Sequence, residues 1–185
     1  MKVTARARAN IALAKYWGKS DDALNLPAVP SVSLTLDPLV TETSVDFDAA
    51  RADVVLGPDG APAGEGETRR VRALLDEVRA AAGATTRARV TSRNDFPTAA
   101  GLASSASGFA ALAGAASAAY GLDEPLEVLS ARARRASASA ARSVFGGIVE
   151  LAAGVPGDDA LAARPLAPAE PWDLRERLTQ EKTAL

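Results

Sequence analysis

Neither cysteine nor histidine occurs among the 185 residues. The first absence excludes disulfides, thiolate metal sites and cysteine nucleophiles. The second removes serine–histidine hydrolysis, histidine general-base chemistry and histidine-ligated zinc. Aromatic residues make up only 4%, and no apolar run reaches the length of a membrane span. The segment Met1-Lys2-Val3-Thr4-Ala5-Arg6 has no signal-peptide apolar core, so a cytoplasmic protein with no membrane partner is expected. A net charge of −2 leaves no basic footprint for nucleic acid. What is present is one domain's length of chain, enough to bury roughly 70% of the unfolded surface. It is rich in Ala, Arg, Gly and Pro and carries no internal repeat.

Hydrophobic periodicity places strands early and helices late, which predicts an α+β fold. Residues 2–8 alternate as a half-exposed strand and 11–14 form a short apolar one. Val32, Leu34 and Leu36 alternate with Ser33 and Thr35 in a strand that Asp37-Pro38 should stop. Residues 40–47 and 53–56 complete a meander. A helix is predicted over 67–82, with Val71, Leu74, Leu75 and Val78 on one face and Gly83 ending it. A strand at 86–92 leads to a helix over 104–120. Asp123 should cap the next helix, which runs to about Arg135. A strand follows at 145–151, and 154–171 reads as irregular.

Three clusters stand out. Asn94 to Gly108 is a turn of small residues feeding an alanine-rich helix. Such a helix start offers unpaired N–H groups and the positive end of the macrodipole to a phosphate. Serines at a helix start are also ordinary caps, so both readings stay open at this level. The loop is neither a Walker A motif nor a dinucleotide fingerprint. The second cluster, Asn10 to Lys19, sets Lys15 and Lys19 around Tyr16-Trp17, either to pair with an anion or as solvated lysines beside a packed tryptophan. The third, Arg134 to Ser143, offers Ser137, Ser139, Ser143 and Arg142 as donors. A diphosphate would suit that set, and so would a plain polar loop.

Together, in this order and spacing, the clusters resemble the diphosphomevalonate (mevalonate diphosphate) decarboxylases of the GHMP kinase superfamily. The likeness runs through Asn10-Ile11-Ala12, Lys15 to Lys19, Leu26-Pro27 and the strand Ser31 to Leu36. It continues through Asn94 to Ser105, Arg134 to Arg142 and Phe145-Gly146-Gly147. It covers residues 5 to about 175. The resemblance implies the two-layer α+β N-terminal domain of that superfamily (ribosomal protein S5 domain 2-like), spanning 1–175, with the C-terminal domain missing. It implies ATP-dependent decarboxylation of mevalonate 5-diphosphate to isopentenyl diphosphate, in isoprenoid synthesis, by a family that is often homodimeric. ATP and Mg²⁺ are the implied cofactors. Pro97, Ala99, Ala100, Gly101, Leu102, Ala103, Ser104, Ser105 and Ser107 would cradle ATP, with Ser105 near the Mg²⁺ that ATP carries. Tyr16, Lys19, Ser137, Ser139 and Arg142 would hold the substrate, and Lys15 would sit at the reacting centre.

The chain departs from the family's pattern in places. Ala136 and Ala138 stand where the family usually has glycine, so the serine turn is unstrained only if neither residue needs a positive φ. Val29-Pro30 replaces a family asparagine. The Asp-Ala-Gly-Pro motif that supplies the family's catalytic aspartate does not occur in these residues. Residues 176–185 read as a truncated or frameshifted tail, too polar for the strand the family places there. An N-terminal portion of this kind is expected to be inactive alone and to expose an apolar face. Phosphomevalonate decarboxylase and mevalonate 3-kinase share the phosphate loop and remain alternatives, as does a non-catalytic nucleotide-binding remnant.

Overall fold

The computed structural model describes residues 1–15, 17–47, 52–57, 60–97 and 104–168. Its spine is β4, Ser31–Asp46, which runs through the Asp37-Pro38 pair expected to end it. The reason lies in its pairing with β1, Lys2–Ala14. The register steps from Arg8↔Val40 to Asn10↔Thr35, so residues 36–39 bulge opposite Ala9. A proline in such a bulge breaks no ladder hydrogen bond. The same step joins into one strand the two expected over 2–14. On its other edge β4 changes partner at the bulge. Ser31 to Leu34 pair with β7, Ile148–Leu151, and Thr41 to Asp46 pair with β6, Arg89–Asn94.

Four further expectations are corrected. Strand β5, Val54–Leu56, joins β6 in parallel rather than closing a meander. The crossover that a parallel pair needs is α1, Glu65–Ala82, which starts two residues early. Within the segment read as irregular, Arg164–Ala167 forms β8 on β7. The first residue before α3, Leu126–Ala136, is Pro125, with no side-chain cap from Asp123. The predicted burial of Val71, Leu74, Leu75 and Val78 and the αL glycine stop at Gly83 are both observed.

The helices form the second layer. Helix α2, Ser104–Ala119, packs against β1 and β4 and is touched by α1, α3 and the short α4, Ala140–Ser143. Being covered on several sides, it is apolar all round, and its alanines let neighbours approach closely. A Cβ added at Gly114 would stand 3.6 Å from that of Ala5. Val45, Leu74, Leu75, Val78, Val90, Phe109 and Leu112 fill the core between the layers. Outside the main sheet, β2, Lys19–Asp21, and β3, Leu26–Pro27, make a small hairpin. Among the described residues no helix is long and apolar enough to cross a membrane.

At the far edge of the sheet a buried ion pair ties the layers together. Arg79 donates to both oxygens of Asp53, at 3.1 and 2.9 Å, and to the Tyr120 hydroxyl at 3.2 Å. Asp53 also accepts the Ala88 N–H at 3.0 Å. Arg79 also pairs with Asp76, so loss of Asp53 leaves the guanidinium one carboxylate and orphans the buried Ala88 N–H. Asp53→Ala is therefore expected to lower stability by about 1–3 kcal/mol in urea denaturation, whereas truncation of the exposed Arg6–Glu42 pair should cost less than about 1 kcal/mol.

Candidate active site

The centre of the site is a knot of polar side chains taken out of water. Helix α3 ends at Ala136, and the chain turns through Ser137, Ala138 and Ser139 into α4. Arg142 on α4 is 2% exposed. It donates from Nε to Ser33 Oγ at 2.9 Å and from Nη1 to Ser31 Oγ at 2.5 Å. Asn10, 4% exposed, donates from Nδ2 to the Ser139 carbonyl at 3.1 Å and to Ser143 Oγ at 2.7 Å. Ser137 Oγ and Ser139 Oγ lie 3.4 Å apart. The last third of β1, the start of β4 and the serine turn are thus one hydrogen-bonded unit. The two alanines cause no strain in it, since among the described residues Asn25 is the only non-glycine with positive φ.

This unit joins three of the expected site residues, Ser137, Ser139 and Arg142. It also contains three to which the sequence reading assigned no role. Asn10, Ser31 and Ser33 lie within the motifs quoted above, and their signal is polarity inside an apolar strand pattern. The face of β4 that turns inward here is the serine face. Ser31 and Ser33 are buried, while Val32 and Leu34 are half-exposed.

The lysines stand at the edge. Lys15 is exposed just past the end of β1, and Tyr16 lies outside the described residues. Lys19 opens the β2–β3 hairpin, its ammonium 3.3 Å from Asp22. Within the hairpin, Asp21 accepts the Leu24 N–H at 3.0 Å and the Gly157 N–H at 3.4 Å. These bonds, that of Leu24 above all, hold its carboxyl below the ordinary value of 3.8. A depressed carboxylate stabilises above its unfolded pKa and loses that effect as pH falls through the folded one. The tie is therefore complete at neutral pH and yields only in acid below 3.8. The flanking stretches of chain expose apolar side chains, with Leu13 at 63%, Trp17 at 80% and Val29 at 41%. The Gly18 carbonyl accepts the Ala28 N–H at 3.2 Å.

The second anion feature is the start of α2. Of the expected ATP cradle, Ala99, Ala100, Gly101, Leu102 and Ala103 lie outside the described residues, and Pro97 is exposed. Ser104 and Ser105 in the first turn line a cleft of about 160 Å³. Its walls are apolar (Val55, Val71, Val90, Phe109), and Ser92, Asn94 and Arg70 supply polar edges. Ser107 faces the other way. It is fully buried, its Oγ is 2.6 Å from Thr41 Oγ1, and Thr41 donates to Asn94 Oδ1 at 2.7 Å. Its hydroxyl fixes the helix start to β4 and β6. No group of three acidic, histidine or cysteine side chains that could hold a metal occurs among the described residues. A larger cleft of about 490 Å³ opens on the outer sheet face. Two of its arginines, Arg6 and Arg8, already pair with Glu42 and Asp37 at 2.8 and 2.9 Å.

Fold and site together define an α+β domain with a helix-start cleft and a serine–arginine turn. The family model of the diphosphomevalonate decarboxylase-like N-terminal domain matches residues 7–162, and the chain belongs to that family. It is 41% identical to the diphosphomevalonate decarboxylase of Eremothecium gossypii over 182 residues, covering 90% of this chain and 45% of that protein. Its fold matches the mevalonate diphosphate decarboxylase of Enterococcus faecalis, solved in a study of mevalonate diphosphate-mediated ATP binding. The TM-score is 0.81 at 46% identity, over 90% of this chain and 52% of that one. A structure of MDDEF in complex with MVAPP, AMPPCP and magnesium also matches at 0.81 and 46%, over 90% and 51%. The chain spans about half the length of the relatives it matches.

The knot makes a direct prediction. Asn10→Ala removes the buried donor to the Ser143 hydroxyl and one of the two donors to the Ser139 carbonyl, and is expected to cost about 1–3 kcal/mol by thermal denaturation. Asn10→Asp should not rescue it, because a carboxylate cannot donate to that carbonyl.

Proposed function

We propose that this chain is the ATP- and substrate-binding portion of a diphosphomevalonate decarboxylase. The observation that carries this reading is the buried Asn10–Arg142–serine knot. It fixes the turn that carries Ser137 and Ser139 beside the hairpin that bears Lys19, with the Arg142 guanidinium buried beneath that turn on Ser31 and Ser33. Charge-assisted donors on a fixed scaffold are what a diphosphate needs, and fixed positioning supplies most of the catalysis in phosphoryl transfer. Lys15 and Tyr16 belong to the same substrate end.

ATP fits the start of α2. The Ser104 and Ser105 hydroxyls and the N–H groups of the first turn suit phosphates. Bound there, ATP would supply the phosphoryl group that turns the substrate's tertiary hydroxyl into a leaving group. Ser105 would meet Mg²⁺ only through the nucleotide. Pro97 and residues 99–103 are assigned to ATP by the family resemblance. The family's catalytic aspartate has no counterpart in these residues, so the 185-residue chain is expected to bind without decarboxylating.

Calorimetric titration tests the assignment. Mevalonate 5-diphosphate should bind more tightly than mevalonate 5-phosphate, and mevalonate should not bind measurably. Arg142→Ala should weaken the diphosphate at least about tenfold, because it releases the turn that holds Ser137 and Ser139. Equal affinity for all three ligands would contradict the reading, and so would turnover of mevalonate 5-diphosphate by the chain alone.

A further inference from the structure

We infer that Arg134 is a positioning residue that locks the β2–β3 hairpin against the end of α3 and so sets where Lys19 stands beside the serine turn. The inference rests on the reading of Lys19 and that turn as the seat of the diphosphate.

Arg134 has no exposed surface and is the largest fully buried side chain of the described residues. Its partners are backbone carbonyls drawn from two separate segments. Nε donates to Leu161 O at 2.8 Å, and Nη2 to Asp159 O at 2.8 Å and Asp158 O at 3.5 Å. Nη1 donates to Leu24 O, in the tip of the hairpin. One guanidinium therefore joins the hairpin tip, the 158–161 segment and the last turns of α3. Only arginine presents donors in a planar fork able to reach carbonyls on both sides.

Other contacts point the same way. Asn25, held at φ 51, donates from Nδ2 to the Arg135 carbonyl at 2.6 Å, two residues before Ser137. Ser20 Oγ donates to Gly154 O at 2.8 Å, and Gly154 N–H to Pro27 O at 2.8 Å. Leu26 is fully buried so close to Gly154 that a Cβ there would fall 2.7 Å from the Leu26 Cβ. Every anchor of the hairpin runs to the end of α3 or to the segment after β7, yet Lys19 at its start faces solvent. A surface hairpin of two short strands has little stability alone. Held this firmly, it gives Lys19 a fixed distance from Ser137 and Ser139.

The test is a double-mutant cycle read by calorimetry on the full chain with mevalonate 5-diphosphate. Arg134→Lys keeps the charge and removes the fork. Asn25→Gly keeps the positive φ and removes the second tie. Each is expected to weaken binding about tenfold in the native background and less than about twofold in a Lys19→Ala background, because the effect passes through Lys19. The two losses should be equal in both backgrounds if Arg134 serves folding alone, and that result would overturn the inference, as would native affinity in both variants. Should Arg134→Lys fail to fold, Asn25→Gly carries the same comparison. Absence of binding to the native chain, or native affinity in Lys19→Ala, would instead overturn the underlying assignment of the diphosphate site.

Discussion

A guanidinium shut away from water needs partners fixed in place, and Arg142 dictates much of what surrounds it. Because Ser31 and Ser33 receive its donors, the first half of β4 turns its hydroxyls inward and leaves Val32 and Leu34 half-exposed. Because β4 begins that way, its neighbours there are the last third of β1 and β7, and Asn10 arrives within reach of the serine turn. The polar knot is thus both a folding constraint and the base of the candidate site. A site built on two strands and a helix end keeps its geometry before any ligand arrives. The buried Asp53–Arg79 pair plays a purely structural part at the opposite edge of the sheet.

Much of the architecture is legible in the residues. The face Val71-Leu74-Leu75-Val78, the stop at Gly83 and the alanine-rich run from Ser104 are local signals with local causes. The long strands are less so. A proline after aspartate reads as a strand end, and only the register step against β1 shows that residues 36–39 form a bulge. The parallel pairing of β5 with β6 is likewise a tertiary fact, since three residues carry no mark of direction.

The site is legible in identity more than in arrangement. Ser137, Ser139 and Arg142 are visible as a donor cluster, but their cohesion through Asn10, Ser31 and Ser33 depends on contacts more than 100 residues apart in sequence. Alternation marks two faces on β4 without saying which is buried, and the buried arginine turns the serine face inward. Ser107 shows the converse. It sits among expected ligand contacts, and its hydroxyl serves Thr41 instead. Neither Ala136 nor Ala138 takes a positive φ in the serine turn, where Ala136 is helical and Ser137 is extended at φ −159.

Amide hydrogen exchange with and without mevalonate 5-diphosphate tests the central claim most directly, namely that the knot is the preorganised seat of the diphosphate. The account requires added protection in residues 137–143 and in the hairpin 19–27, with the strands beneath unchanged. Protection confined to the outer sheet face around Arg6, Arg8 and Arg93, with the serine turn unaffected, would contradict it.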